Sequence, residues 1–211
     1  MMLQNIDPLL IKYCETNIIP KYQQLDLAHH PNHVFDVIEK SLMIAKDYYV
    51  NIEMVYVVAV YHDIGLLVNR KTHHIDGGKT LEDDAFIQNY FTKDEILVMK
   101  QAIEDHRASN DHAPRTIYGK IISEADRLID PDQIILRTIQ FRLNGSRNED
   151  FDTIYEGVKA HLIDKYGHGG YLKLWLKTEQ NETQLSKLRA IIDDEDELYK
   201  KALHIFNTIG K

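Results

Sequence analysis

The stretch Met54-Val55-Tyr56-Val57-Val58-Ala59-Val60-Tyr61-His62-Asp63-Ile64-Gly65 places an ionisable pair directly after an unbroken apolar run. The β-branched residues of this run are also compatible with a strand. However, the run continues into His62-Asp63 without a turn signal, and the sequence offers no second strand to pair with it. We therefore predict a helix from Ile52 to about Val68, buried on nearly all sides as the central element of the fold.

The sequence on both sides of this helix predicts an all-α fold. Apolar residues recur every three to four positions, and Gly and Pro fall between these periodic segments. Thr92-Lys93-Asp94-Glu95 is a capping-box pattern that marks a helix start. The predicted helices cover about residues 8–18, 33–50, 52–68, 78–90, 92–107, 114–128, 130–143, 150–166, 170–177 and 182 onward, with a break near 193–195.

Length, charge and cysteine content limit the class of protein. A chain of 211 residues suits a single domain. The net charge of −8 disfavours nucleic acid and anionic membranes as partners, and an anionic substrate needs a local positive site. The single cysteine, Cys14, excludes a disulfide within the chain and a thiolate metal cluster. The first residues lack the pattern of a signal peptide, and no apolar run is long enough for a membrane span, so we expect a cytoplasmic protein.

Four ionisable residues on three predicted helices suggest a metal site: His33, His62, Asp63 and Asp126. Metal sites in helix bundles are built in this way, from side chains that project inward from facing helices. Burying His62 and Asp63 is costly unless they are paired or bind a metal. A simple His–Asp hydrogen-bonded pair in the core is the alternative. Imidazole and carboxylate ligands together suit Mn, Fe, Co, Ni, Mg or Zn, and the absence of thiolates disfavours a purely structural zinc site.

The order of these residues resembles the H…HD…D signature of the HD superfamily of metal-dependent phosphohydrolases. Four flanking segments resemble the motifs of that family: Ala28–Val34, Val58–Gly65, Ala102–His106 and Ile121–Leu128. The resemblance implies an HD-domain-like helical bundle. We expect a single domain over residues 1–211, with a motif core at about 26–130 and residues 131–211 as a C-terminal helical extension packed on it.

The resemblance also implies a function and a metal cofactor. It suggests that a metal-activated water hydrolyses a nucleotide or another small phosphate ester. The implied metal ligands are His33, His62, Asp63 and Asp126. Family members with two metals add two histidines between the HD pair and the last Asp. His74, with its H-x-x-G-G continuation, and His106 are the candidates here. The alternative for His74 is a position in a solvated loop, and the alternative for His106 is a favourable interaction with the helix dipole. The number of bound metals, one or two, therefore stays open.

Catalytic and substrate-binding roles follow from the same resemblance. Asp63 is the candidate to orient or deprotonate the attacking water, and Asp105 is a candidate to assist proton transfer. Basic residues close to the motifs are candidates for the phosphate charge, although each suits a solvated surface equally well: Lys71, Arg107 and Arg127.

Two other functions are compatible with the same residues. One is a di-iron oxygenase on the HD scaffold, which needs all six ligands. The other is a nucleotide-sensing module that binds metal and ligand without turnover. A (p)ppGpp hydrolase is disfavoured because that branch carries acidic residues after the HD pair, where this chain has Ile64-Gly65-Leu66-Leu67.

Overall fold

A computed structural model describes residues 5–26, 29–110, 112–127, 129–145 and 150–209. All regular secondary structure in these ranges is helical, which confirms the all-α prediction. The chain divides into two compact units, Met1–Asp126 and Arg127–Lys211. The expectation of a single domain, with residues 131–211 packed on the motif core, stays a prediction. No helix in the described ranges combines the length and apolar character that crossing a membrane requires.

The first unit is built around a central helix, α3 (Ile52–Tyr61). Contacts connect it to α2 (Pro31–Ala45), α6 (Lys93–Asp105) and α7 (Ile117–Asp126), and further contacts connect α4 (His73–Glu82) to α6. A π-helix at Cys14–Ile18 follows α1 (Pro8–Tyr13), so the predicted helix over residues 8–18 is not a single α-helix, and a 3-10 helix at Ile19–Gln24 comes after it. The α-helices of this unit are α1 (Pro8–Tyr13), α2 (Pro31–Ala45), α3 (Ile52–Tyr61), α4 (His73–Glu82), α5 (Ala85–Tyr90), α6 (Lys93–Asp105) and α7 (Ile117–Asp126).

Helix α3 is buried as its sequence predicts, but it is shorter than expected. Every residue from Met54 to Tyr61 is buried. The helix begins at the Asn51 cap, whose side chain accepts a hydrogen bond from the Glu53 backbone N–H. It ends at Tyr61, and the chain tightens into a 3-10 helix at Ile64–Leu67 instead of continuing to Val68. His62 and Asp63 therefore lie at the junction between the two helices, at the end of the most buried element.

Helix α4 begins at His73, five residues before the predicted start at Gly78. Glycine has a low helix propensity. In the structure Gly77 and Gly78 lie inside α4 and face α6: a Cβ at Gly77 would lie 3.2 Å from Ile103, and one at Gly78 would lie 3.1 Å from Lys100. The two glycines therefore permit close packing of α4 on α6. The predicted capping box of α6, formed by Thr92 and Glu95, is confirmed.

In its described residues the second unit has four helices in mutual contact: α8 (Pro131–Gly145), α9 (Phe151–Tyr166), α10 (Glu179–Asp193) and α11 (Glu195–Ile209). The predicted helix at 170–177 is wrong. The chain turns back there, and the backbone N–H groups of Tyr171 and Leu172 donate to the carbonyl groups of Asp164 and Lys165. The predicted break near 193–195 is confirmed at Asp194, which separates α10 from α11.

Candidate metal centre

Three helices bring four ionisable side chains together in the first unit. His33 lies on α2, His62 and Asp63 follow α3, and Asp126 is the last residue of α7. Their potential ligand atoms all lie within 4.8 Å of one another. Nε2 of His33 lies 3.1 Å from Oδ1 of Asp126, and Nε2 of His62 lies 3.3 Å from Oδ2 of Asp63. These are the four residues that the family signature implies as metal ligands.

A second group shares Asp63 with the first. Nε2 of His73, at the start of α4, and Nε2 of His106, at the end of α6, each lie 3.5 Å from Oδ1 of Asp63. One oxygen of Asp63 therefore faces the first group and the other faces the second. The two groups together contain six side chains, with Asp63 between them.

The orientation of three histidines leaves lone pairs directed at the Asp63 carboxylate. Nδ1 donates to a backbone carbonyl in each: His62 to Ala59 at 2.8 Å, His73 to Arg70 at 2.9 Å and His106 to Ile103 at 2.6 Å. In a neutral imidazole this hydrogen bond makes Nε2 an acceptor. Backbone carbonyls orient metal-binding histidines in the same way in other proteins.

These acceptors need a positive charge between them. Nε2 lone pairs and carboxylate oxygens repel one another at such distances in a buried site. A divalent cation removes this conflict, and the mixed nitrogen and oxygen donor set suits borderline or hard metal ions. The residues therefore fit a metal centre. A divalent cation could take the place of the proton that the alternative, a simple hydrogen-bonded His–Asp pair, would need between His62 and Asp63.

The shifted pKa values of the ligand side chains also indicate that this site favours positive charge. Burial lowers the pKa of His62, but the carboxylates of Asp63 and Asp126 outweigh burial and raise it to about 9. Burial raises the pKa of Asp63, but His62 and His106 outweigh burial and hold it well below its usual range. The pKa of Asp126 is also lowered, since the hydrogen bond from His33 and the charge of His62 exceed the effect of burial.

His74 lies outside both groups, although the sequence made it the second-metal candidate. Successive residues of a helix point about 100° apart, so only one of the adjacent histidines at the start of α4 faces Asp63, and that one is His73. Burial, followed by the charge of Arg107, lowers the pKa of His74 to about 4. The Gly-Gly pair that singled out His74 serves the packing of α4 on α6.

Asp105 also lies outside both groups. It is buried, and its carboxylate faces Arg115, a residue that the sequence did not single out. The backbone N–H of Arg115 donates to Oδ2 at 2.7 Å, and its guanidinium donates to both oxygens, with Nη2 at 2.9 Å from Oδ1. These bonds pair the Asp105 carboxylate with Arg115 and fix the chain after α6. This environment suits a structural ion pair better than proton transfer.

We expect Arg115→Met to destabilise the first unit by about 2 kcal/mol without changing metal content. The substitution leaves the buried Asp105 carboxylate with fewer donors, and hydrogen bonds to charged groups contribute about 1.5–3 kcal/mol each. Solvent screening reduces the effect because the Arg115 side chain is 45% exposed. Urea denaturation measures the change. Arg70→Met, which removes an exposed ion pair to Asp26, is the matched control and should change the free energy of unfolding by less than about 1 kcal/mol. An Arg115→Met protein with normal stability but little metal would contradict this assignment.

The predicted phosphate-binding residues differ in their positions. Arg107 is half-buried, and its guanidinium donates to the Lys71 carbonyl at 3.1 Å. Burial is the main cause of the lowered pKa values of His73 and His74, and the charge of Arg107 contributes to both, which indicates that Arg107 lies near the second group. Lys71 is exposed in the segment before α4. Arg127 is the first residue of the second unit, and its role stays a prediction.

His29 approaches the centre, although the sequence assigned it no role. Its Nε2 lies 4.0 Å from Oδ2 of Asp63, and its Nδ1 lies 2.7 Å from Oδ1 of Asp26. Arg70 holds the other oxygen of Asp26 at 2.9 Å. The signal for His29 was its position four residues before His33, on the turn that leads into α2.

Comparison with known families agrees with this geometry. Residues 32–129 match the family model described as HD domain, a range that contains all six residues of the two groups. No curated protein and no solved structure matches the chain.

Proposed function

Since residues 32–129 form an HD domain, we propose that this protein is a metal-dependent phosphohydrolase that acts on a nucleotide or another small phosphate ester. The observation that supports the proposal most directly is the position of Asp63, whose two oxygens face two separate groups of ligands. This arrangement favours two metal ions over one. His33, His62, Asp63 and Asp126 would hold the first metal, and Asp63, His73 and His106 would hold the second.

Bound divalent metals lower the pKa of a coordinated water and polarise a phosphoryl oxygen. Asp63 is buried at the centre, and as a carboxylate of low pKa it stays ionised and orients the attacking water. We assign proton donation to the leaving group to His29, because Asp26 holds its Nδ1 and its Nε2 faces the centre. Asp105 is a weaker candidate for this step because Arg115 occupies both of its oxygens.

Positive charge for the substrate phosphate comes from Arg107 in this proposal. It lies beside His73 and His74 and carries a planar guanidinium that pairs with phosphate oxygens. Lys71 lies next to it and is free to act as an exposed point charge. Arg127 directly follows the metal-ligand candidate Asp126 and completes the set proposed from the sequence.

The test combines metal analysis with a substrate screen. Protein purified without chelator is assayed for bound metals and then for phosphate or pyrophosphate release with Mn, Mg, Co and Ni against nucleotides and small phosphate esters. We expect metal-dependent release that His62→Ala abolishes. His168→Ala is the matched control, because this histidine is 71% exposed and lies in the second unit. A folded, metal-loaded protein that releases nothing from the whole panel would contradict the proposal.

The second ligand group also keeps a second candidate function open, a di-iron oxygenase on the same scaffold. Such an enzyme needs two metals that share a carboxylate, and Asp63 with His73 and His106 satisfies this requirement. Iron content near two per chain in aerobically purified protein, with a paramagnetic signal after partial reduction, would favour the oxygenase over the hydrolase.

A further inference from the structure

The second unit contains a pocket that shares no residue with the metal centre. It lies between α8 and α9 and has a volume of about 350 Å³. Small-molecule sites in proteins have volumes of about 300–1,000 Å³. The pocket is therefore large enough for a small ligand such as a mononucleotide.

The lining of this pocket is strongly cationic. Arg137 and Arg142 from α8 and Lys165 from α9 all line it, and no described lining residue is Asp or Glu. The chain as a whole has 33 acidic and 25 basic residues. A concentration of three cations without a carboxylate is unusual in such a chain, and like charges repel one another unless an anion lies between them. The charge of the pocket therefore selects an anionic ligand.

One of these cations occupies a position that a glycine makes possible. The guanidinium of Arg142 lies against α9, where Nη2 donates to the Gly157 carbonyl at 3.0 Å. A Cβ at residue 157 would lie 2.7 Å from Cζ of Arg142. Glycine in the middle of a helix is less favourable than alanine. Gly157 is thus unfavourable for the helix itself, but it leaves room for the Arg142 guanidinium to pack on α9. The charge of Arg142 is thereby held at the pocket.

Aromatic rings lie beside these cations. Phe141 lines the pocket and is 77% exposed, although exposure of a phenylalanine ring to water is unfavourable. Tyr166 also lines it, and Nζ of Lys165 lies 5.1 Å from the centre of its ring. Rings next to phosphate-binding cations suit a ligand that combines a phosphate with a planar base.

The titration of His161, another lining residue, agrees with a positive local potential. Partial burial lowers its pKa, and the charges of Lys165 and Arg142 lower it further, while Asp164 has the opposite effect. The imidazole is therefore neutral near pH 7 and is able to accept or donate a hydrogen bond to a bound ligand.

We propose that this pocket is a second ligand site, which binds an organic phosphate with an aromatic base, of mononucleotide size. The cations bind the phosphate, and Phe141 stacks on the base. The site depends only on residues of the second unit, so the proposal goes beyond phosphate hydrolysis at the metal centre.

Calorimetric titration of the full-length protein tests the site. AMP, adenosine and inorganic pyrophosphate are titrated into wild-type protein and into Asp63→Ala, both with chelator present, so that metal-dependent binding and turnover do not contribute. We expect AMP to bind equally to both proteins, adenosine to bind weakly and pyrophosphate to bind in between. Loss of AMP binding in Asp63→Ala would overturn the proposal, because it would locate the ligand at the metal centre.

Variants of the pocket give the decisive comparison. Arg137→Glu and Gly157→Ala, which displaces the Arg142 guanidinium, should each weaken AMP binding about tenfold or more. Phe141→Ala should weaken AMP binding without affecting pyrophosphate. Lys187→Glu is the matched control, because this lysine is exposed on α10 outside the pocket, and it should leave binding unchanged. Equal AMP affinity in the pocket variants and the control, or no saturable binding of AMP, would overturn the proposal.

Discussion

Asp63→Asn is expected to empty both halves of the metal centre and to lower phosphate release by about three orders of magnitude. The substitution keeps the size of the side chain but removes the negative charge that both ligand groups share. His62, His73 and His106 then direct their Nε2 atoms at a neutral amide. No other residue of the centre belongs to both groups, so no other single substitution should remove a ligand from both of them.

Substitutions of residues that belong to only one ligand group distinguish the two metal sites. His106 belongs only to the second group and His33 only to the first. If wild-type protein binds about two metals per chain, His106→Ala should bind about one, and Asp63→Asn should bind almost none. Metal analysis after removal of loosely bound ions measures these ratios. Since metals stabilise the folded state that binds them, a chelator should lower the melting temperature of the wild type and leave that of Asp63→Asn unchanged.

The opposite result would be equally clear. If wild-type protein binds about one metal and His106→Ala retains it, then the second group is a hydrogen-bonded cluster around Asp63. The mechanism would then need only His33, His62, Asp63 and Asp126. Retention of two metals by Asp63→Asn would contradict the bridging role of this carboxylate.

The elements that the sequence predicts well are those in which local pattern and burial agree. Helix α3 is an example, because an apolar run of this kind is stable only when it is buried in the core. The ionisable pair at its end therefore also lies inside the protein. The capping box of α6 depends only on residues 92 and 95 and is equally local. The HD motifs also predict that ligand residues far apart in the chain lie together. This information comes from the family resemblance, because hydrophobic periodicity does not show which helices are neighbours.

The differences arise where close packing overrides local propensity. The choice between His73 and His74 depends on where α4 begins, and α4 begins at His73 and continues through the two glycines that pack against α6. The pairing of Asp105 with Arg115 depends on how the segment between α6 and α7 folds back, and no residue pattern encodes that turn. The chain after α9 differs from the predicted helix for a similar reason, because its backbone N–H groups donate back to carbonyl groups of α9 itself.

Gly65→Ala is expected to destabilise the first unit by about 3 kcal/mol, the upper part of the usual range for overpacking. A Cβ at this position would lie 2.0 Å from the His73 carbonyl oxygen and 2.5 Å from the Gly77 backbone nitrogen. Both contacts are backbone atoms of α4, which have no side-chain rotamer to relieve the clash. The substitution must therefore move α4 away from the 3-10 helix that follows Asp63. Because His73 begins α4, its Nε2 would move away from Asp63, and the second metal group would open.

The measurement combines thermal unfolding with metal analysis. Gly65→Ala should lower the melting temperature by roughly 10 °C and reduce bound metal from about two to about one per chain, with the first group retained. Gly169→Ala is the matched control, since a Cβ at Gly169 meets no atom within 4 Å, and it should change neither quantity. A Gly65→Ala protein that keeps its melting temperature but loses a metal would mean that α4 moves at little cost. A protein that loses stability but keeps both metals would mean that His73 is not held in place by the contact between Gly65 and α4.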